Sequence, residues 1–283
     1  MFWNVRALVL VCFALTCGAQ VKEPFFFVQG SDPQFGFCAG RERLGTGFAQ
    51  DTANFEFVIA TVNRLRPAFL IVTGDLVNRA GDPAETAEYF RVTGKLDPSI
   101  RLYNVAGNHD VLNEPTPASL AAYRKQFGPD YYAFRAGAMA AIVLNSPIIA
   151  HPKNVPDEFA RQENWLRGEL EKARRDGVRE LVIFQHHLLF INSPEEKESY
   201  YTLPIGQRRK YLDLFKEYGV SHVFSGHYHR NASANYGPMK LLTTTSITCA
   251  DAPSGIRIVT VKNTGIESRV YDFGGLPARI DLR

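Results

Sequence analysis

Six short apolar runs between residues 25 and 224 constrain this chain most. They are Phe25-Phe26-Phe27-Val28, Phe69-Leu70-Ile71-Val72, Arg101-Leu102-Tyr103-Asn104-Val105, Ala141-Ile142-Val143-Leu144, Leu181-Val182-Ile183-Phe184 and His222-Val223-Phe224. Continuous runs of this length, rich in β-branched and aromatic side chains, predict strands buried on both faces. Between them lie segments of helical period. Phe55, Val58, Ile59, Val62 and Leu65 precede Pro67; Phe159, Trp165, Leu166 and Leu170 mark a second helix ending near Gly177; Tyr211, Leu212, Leu214 and Phe215 mark a third ending at Gly219. This alternation predicts an α/β domain with both sheet faces covered. After Met239 the pattern changes to strands with tight turns, Leu241-Leu242-Thr243-Thr244-Thr245 and Ile256-Arg257-Ile258-Val259-Thr260-Val261, and predicts a second, more antiparallel sheet.

Nothing in the composition divides the chain. No low-complexity tract or internal repeat separates two halves, so residues 20–283 are expected to form one domain. The formal charge of +3 comes from scattered residues. Nucleic acid is therefore not expected as a partner. Residues 1–19 differ: Arg6 and the amino terminus precede the apolar stretch Ala7 to Thr16, then Cys17-Gly18-Ala19 offers small residues for cleavage before Gln20. The stretch is about half the ~20 residues a membrane span needs, so it reads as a secretory signal, with an exported product and no stable membrane insertion after cleavage. Lipidation of Cys17 is the rival, but Leu15-Thr16 poorly meets its small-residue requirement. Cleavage leaves Cys38 and Cys249, which can pair in an oxidising compartment or stay as two buried thiols.

The residues that follow each run carry the chemistry. They are Asp32, then Thr73-Gly74-Asp75, Gly107-Asn108-His109-Asp110, Asn145-Ser146, His186-His187 and Gly226-His227-Tyr228-His229. Ligands in open α/β sheets bind beyond the carboxyl ends of the strands. Successive strands thus deliver oxygen and nitrogen donors to one edge, a mixed metal-ligand set. Glycines before Asp75, Asn108 and His227 fit sharp turns beside a site. Each piece alone has a bland reading as turn, helix cap or satisfied core histidine; the ordered set does not.

Asp32, Gly74-Asp75, Gly107-Asn108-His109-Asp110, His186 and Gly226-His227-Tyr228-His229 resemble the five signature blocks of the calcineurin-like metallophosphoesterases, in that family's order. Asp32-Pro33-Gln34-Phe35-Gly36, Phe184-Gln185-His186 and Ser225-Gly226-His227-Tyr228-His229-Arg230-Asn231-Ala232 resemble one subgroup, whose animal members are described as serine/threonine protein phosphatases. The resemblance implies a four-layer sandwich of two mixed β-sheets flanked by helices, and two divalent cations, Mn, Fe, Zn or Mg. It implies that Asp75 bridges both ions, that Asp32 and His229 hold one, and that Asn108, His186 and His227 hold the other. His109 would be the general acid, oriented by Asp110. Two such ions about 4 Å apart can share a hydroxide that attacks phosphorus in line.

The chain departs from the commonest family pattern where Gln34 stands in place of a histidine. Its carbonyl oxygen can still bind a metal, as a harder and weaker ligand than imidazole. The usual proline after the histidine block is replaced by Leu188, a matter of packing. Arg230, beside His229, is a candidate for a phosphate oxygen or for a surface ion pair. Residues 192–206, with Tyr200-Tyr201, read as a lid or as a long loop. The expected substrate is a phosphate ester, with phosphomonoesters and phosphoproteins foremost; a phosphodiesterase and a non-catalytic binding relative are the alternatives.

Overall fold

The structure, a computed structural model, describes residues 24–40 and 47–282; the expected export signal, Met1 to Ala19, lies outside them. All six apolar runs form strands, but the third, Arg101 to Asn104, is an edge strand exposed or half-buried along its length and not buried on both faces as expected. In chain order the strands are β1 (Phe25–Gly30), β2 (Phe69–Val72), β3 (Arg101–Asn104), β4 (Tyr132–Ala136), β5 (Met139–Val143), β6 (Glu180–Phe184), β7 (His222–Ser225), β8 (Ala232–Tyr236), β9 (Met239–Thr243), β10 (Gly255–Lys262) and β11 (Gly265–Asp272). The helices are α1 (Ala49–Leu65), α2 (Pro83–Thr93), α3 (Asn108–Val111), α4 (Pro117–Phe127), α5 (Ser146–Ala150), α6 (Pro156–Arg175) and α7 (Ile205–Glu217).

Two mixed sheets result, one ordered β11-β10-β1-β2-β3 and the other β4-β5-β6-β7-β9-β8. The separate antiparallel sheet expected after Met239 does not form. Strand β9 instead runs parallel to β7, and β10 pairs antiparallel with β1, so the C-terminal strands extend both existing sheets. The apolar runs are likewise divided, β1 to β3 in one sheet and β5 to β7 in the other.

Continuous apolarity has a direct cause here. Side chains alternate across a strand, and each central strand is buried on both sides. Phe25 and Phe27 of β1, Phe69 and Ile71 of β2, and Val182 and Phe184 of β6 meet in the core between the sheets. Their neighbours Phe26, Val28, Leu70 and Val72 face the helix layer that includes Phe55, Ile59 and Tyr89. Leu181 and Ile183 face Leu166, Leu170, Tyr211 and Phe215 of α6 and α7. Rings lock the two sheets together: Phe27 stacks on Phe69 at 4.6 Å and meets Phe184 edge-on at 5.8 Å. This is the α/β four-layer sandwich expected. No helix among the described residues is long and apolar enough to cross a membrane.

Cys38 and Cys249, left open by the sequence, form a disulfide across 211 residues. It ties the segment after β1 to the segment after β9. Beside it the buried Asp51 carboxylate accepts from Gly36 N at 3.0 Å and Thr248 Oγ1 at 2.7 Å, joining the same two segments through α1. A crosslink closing so long a loop removes much unfolded-state freedom, by ~2–5 kcal/mol. Replacing both cysteines by alanine should lower the unfolding free energy by about that amount, measured by denaturant titration, while the far-ultraviolet spectrum stays native.

Candidate metal centre

The loops that leave β1, β2, β3, β6 and β7 converge over the carboxyl ends of both sheets. Their backbone is unusual. Asp32, Gln34, Asp75, His227 and His229 have φ between 40° and 66°, five of the seven non-glycine residues with positive φ among those described. Left-handed backbone at such residues is strained by ~1–3 kcal/mol each and persists only where its surroundings over-determine it. Here the loops pair with one another: Asp32 N donates to Gly74 O at 3.1 Å and Gln34 N to Asp75 O at 2.9 Å. Close approach explains two of the glycines. A Cβ on Gly107 would lie 2.1 Å from Asp75 Oδ1, and one on Gly226 would lie 1.8 Å from Ser31 Oγ.

The strain aims donors at common points. Asp32, Asp75 and His229 each place a ligand atom within 4.8 Å of the others, and so do Asp75, His186 and His227. Asp75 belongs to both groups. His186 Nε2 lies 3.2 Å from Asp75 Oδ2 and 3.0 Å from Asn108 Oδ1, while His229 Nε2 lies 3.2 Å from Asp32 Oδ1. The seven residues expected to hold metal are therefore brought together, Gln34 among them on the same wall. A cation fits. Gln34 Oε1 is buried without a hydrogen-bond donor, a costly state for a polar oxygen. The donor set of carboxylate, amide oxygen and imidazole suits a divalent ion.

The electrostatics describe what a cation would replace. Burial disfavours the His186 imidazolium, but Asp75 and Asp32 outweigh burial and push its pKa up to about 9. Burial likewise raises the Asp75 carboxyl, but His186 first, then His109 and His227, hold it well below the usual carboxylate range. Burial and then His186 push His227 down to about 4. His187, next in sequence, is no part of either ligand group. Burial and then His227 lower its pKa, and its Nδ1 lies 3.1 Å from Ser146 Oγ.

His109 and Asp110 part company. Asp110 Oδ2 accepts from Gly107 N at 2.8 Å, and Oδ1 from Leu76 N at 2.8 Å and Val77 N at 3.1 Å. The expectation that Asp110 orients the His109 ring is thereby corrected. Its oxygens are spent on backbone amides of two loops, and burial followed by Asp75 raises its pKa. The His109 ring is held instead by Asn78, whose carbonyl oxygen lies 2.7 Å from Nδ1. A carbonyl can only accept, so Nδ1 carries a proton and Nε2 is the nitrogen free to exchange one. His109 N also donates to Asp75 Oδ1 at 2.9 Å.

Above this floor is a cavity of about 420 Å³ that reaches Asp75, His109, His227 and His229, with Phe37, Tyr201, Tyr228 and Arg230 around its mouth. Arg230 is exposed there. Segment 192–204, up to the start of α7, is a braced loop. Buried Arg208 donates to Pro194 O, Glu196 O, Thr202 Oγ1 and Leu203 O, and the Glu196 carboxylate accepts three backbone amides, from Ile191 to Ser193. The loop carries Tyr200 onto the site, its hydroxyl 2.9 Å from Asn108 Nδ2 and its carbonyl 2.9 Å from His227 Nε2. Asn78 and Tyr200 gave no periodic or motif signal in the sequence. Their roles come from hydrogen bonds that cross the fold.

The profile of the calcineurin-like phosphoesterases matches residues 31–231. This chain belongs to that family. It is 33% identical to the bovine serine/threonine-protein phosphatase CPPED1 over 98% of this chain and 92% of that protein, and 33% identical to the human one over the same shares. Among solved structures it resembles a dimetal phosphatase from Danio rerio, at 16% identity and a TM-score of 0.60 over 89% of this chain and all of that one. A purple acid phosphatase from yellow lupin matches at 12% identity and a TM-score of 0.67, over 91% of this chain and 53% of that one. The chain is a metal-dependent hydrolase of the phosphatase type, and its family implies two divalent cations.

A raised His186 pKa makes metal uptake a proton-releasing event. With its pKa raised by Asp75 and Asp32, the metal-free imidazole is protonated at pH 7, and a ligating imidazole must be neutral. Loading the metal-free protein with Mn²⁺ at pH 7 should therefore release about one proton from this residue, read as a buffer-dependent calorimetric enthalpy. The release should fade as pH rises past 9. A buffer-independent enthalpy at pH 7 would show that His186 is neutral before the ion arrives.

Proposed function

We propose that this protein hydrolyses phosphomonoesters, phosphoproteins among them, with a pair of cations held by Asp32, Gln34 and His229 on one side and Asn108, His186 and His227 on the other, Asp75 serving both. The observation that carries this reading is Asp75 itself. Its two oxygens face different neighbours, Oδ1 toward the His109 amide and Oδ2 toward His186, and it belongs to both ligand groups. When bound, paired cations supply a nucleophile at neutral pH and positive charge for phosphoryl oxygens.

The chain's own residues do the rest. Arg230 can meet a phosphate oxygen from the cavity mouth, where its guanidinium fork suits that contact. His109 stands on the cavity wall with Nδ1 committed to the Asn78 carbonyl, so a proton delivered to the leaving oxygen comes from Nε2 of the imidazolium. Asp110 supports this indirectly, by holding the Gly107 turn against the Leu76-Val77 turn. The reading also takes residues 1–19 as an export signal. The Cys38–Cys249 disulfide supports it, since such bonds persist mainly in oxidising compartments.

Proton delivery matters in proportion to how poor the leaving group is, and is typically worth ~10²–10⁴ in rate. His109→Ala should slow hydrolysis of alkyl phosphates by something in that range and of nitrophenyl phosphate far less. Asp75→Asn should depress both alike. The measurement is kcat on metal-saturated protein with both monoesters and a nitrophenyl diester. Equal losses on the two monoesters in His109→Ala would assign His109 to phosphate binding, and faster turnover of the diester would make the protein a phosphodiesterase. A second check concerns the N-terminus: intact mass of protein recovered from outside the producing cell should begin at Gln20, and a chain beginning at Met1 would refute cleavage.

A further inference from the structure

Two of the residues assigned to the cations are carboxamides, Gln34 and Asn108. A carboxamide is a metal ligand through oxygen only; turned by 180° it presents an NH₂ group to the cation. A carboxylate carries no such ambiguity, and an imidazole is set by the partner of its other ring nitrogen, so a site built with two amides needs something that decides their sense. On the reading given above, we propose that Asn78 holds Gln34 oxygen-first toward one cation, and that Asn113 with Tyr200 holds Asn108 oxygen-first toward the other.

Gln34 Nε2 donates to Asn78 Oδ1 at 3.3 Å. That contact leaves Gln34 Oε1 as the buried atom with no donor, on the wall lined by Asp75 and His229. The Asn78 backbone is fixed at both ends: its amide donates to Glu85 Oε2 at 2.9 Å and its carbonyl oxygen lies 2.7 Å from His109 Nδ1. Glu85 is fully buried, also accepts from Arg79 N at 2.7 Å, and pairs with the Arg79 guanidinium at 3.0 Å. On the other side Asn108 Nδ2 donates to Asn113 Oδ1 at 2.8 Å and to the Tyr200 hydroxyl at 2.9 Å, leaving Oδ1 toward His186. Tyr200 directs its own proton to Asn113 Oδ1 at 3.3 Å, which keeps a lone pair facing Asn108.

The second arrangement is held against strain. Leu112, which turns the chain from α3 to Asn113, has φ 75° and ψ 152°. That region is occupied almost wholly by glycine. Leu112 is one of the exposed large hydrophobic side chains. The turn it makes is what returns Asn113 to Asn108, five residues earlier. Both amides thus meet dedicated acceptors on their NH₂ side, one from the loop after β2 and one from the turn after α3. Such outer partners typically change metal affinity by ~10–100-fold when removed.

The test is calorimetric titration of metal-free protein with Mn²⁺, which reads affinity and stoichiometry without turnover. Wild type should bind two ions. Asn78→Leu should weaken one of them by ~10–100-fold and leave the other; Asn78→Ser, too short to reach Gln34, should repeat the loss if the leucine variant does not fold. Asn78→Asp, which can only accept, should keep the affinity. In a Gln34→Leu background, Asn78→Leu should cause no further loss, because a residue acting through Gln34 has nothing left to act on. Asn113→Leu with Tyr200→Phe should weaken the other ion instead. Two ions bound by Asn78→Leu with wild-type affinity, or an undiminished further loss in the Gln34→Leu background, would overturn the proposal and leave the metal reading standing. Wild-type protein that binds no Mn²⁺ would overturn both.

Discussion

The meeting of two groups of donors at Asp75, His186 with His227 and Asp32 with His229, is the interaction on which the rest of the structure depends. One buried carboxylate is asked to serve both ligand groups, and it can do so only if loops from two different sheets arrive within a few ångströms of it. That requirement accounts for the left-handed backbone at five ligand positions and for the glycines whose Cβ would collide with Asp75 and Ser31. Strain of this kind at five residues together is comparable with the net stability of an ordinary domain. It is sustained because the loops begin at strands clamped by the Phe27, Phe69, Phe184 and Phe224 rings, where rearrangement would open the core.

Charge follows from the same crowding. Without a cation, His186 carries the positive charge that Asp75 requires, and the neighbouring His227 is kept neutral by burial and by that charge. A site that holds imidazolium against carboxylate is already arranged for a divalent ion, because the ion replaces a proton and meets the same oxygens. The second ring of contacts serves this arrangement. Asn78, Asn113 and Tyr200 touch ligands, while Glu85 and Arg208 hold the segments that present them. Asp110 belongs with this outer group, since its carboxylate binds loop amides and not the His109 ring.

Relatives at 33% identity over nearly the whole chain, set beside structural neighbours at 12–16%, separate what the family shares from what the fold shares. The fold carries the two sheets and the convergence of their loops. The family model covers residues 31–231, the stretch that runs from Asp32 to His229. Within that frame Gln34 puts a carboxamide where the commonest pattern of the family has a histidine, and the loop after β2 brings Asn78 Oδ1 to its NH₂ group.

Sequence alone determined the central strands and marked the candidate ligands, for one physical reason. A strand buried on both faces is apolar throughout, so β1, β2, β5, β6 and β7 stand out, and the polar residues directly after such runs are candidates for binding, although Asn145 after β5 caps α5 instead. Strands β4, β8 and β11 escaped because at least one face is exposed and their side chains are mixed. Tertiary structure alone decided the division of the runs between two sheets, since a continuous apolar run carries no mark of its neighbours, and it placed β9 and β10 in those sheets where a separate one was expected. It also decided the disulfide, the seating of Tyr200 and the partner of His109. Asn78 and Asp110 are both polar residues near a ligand in sequence; which of them meets the His109 ring is set by the direction in which each loop leaves its sheet, and direction is fixed only when the sheets pack.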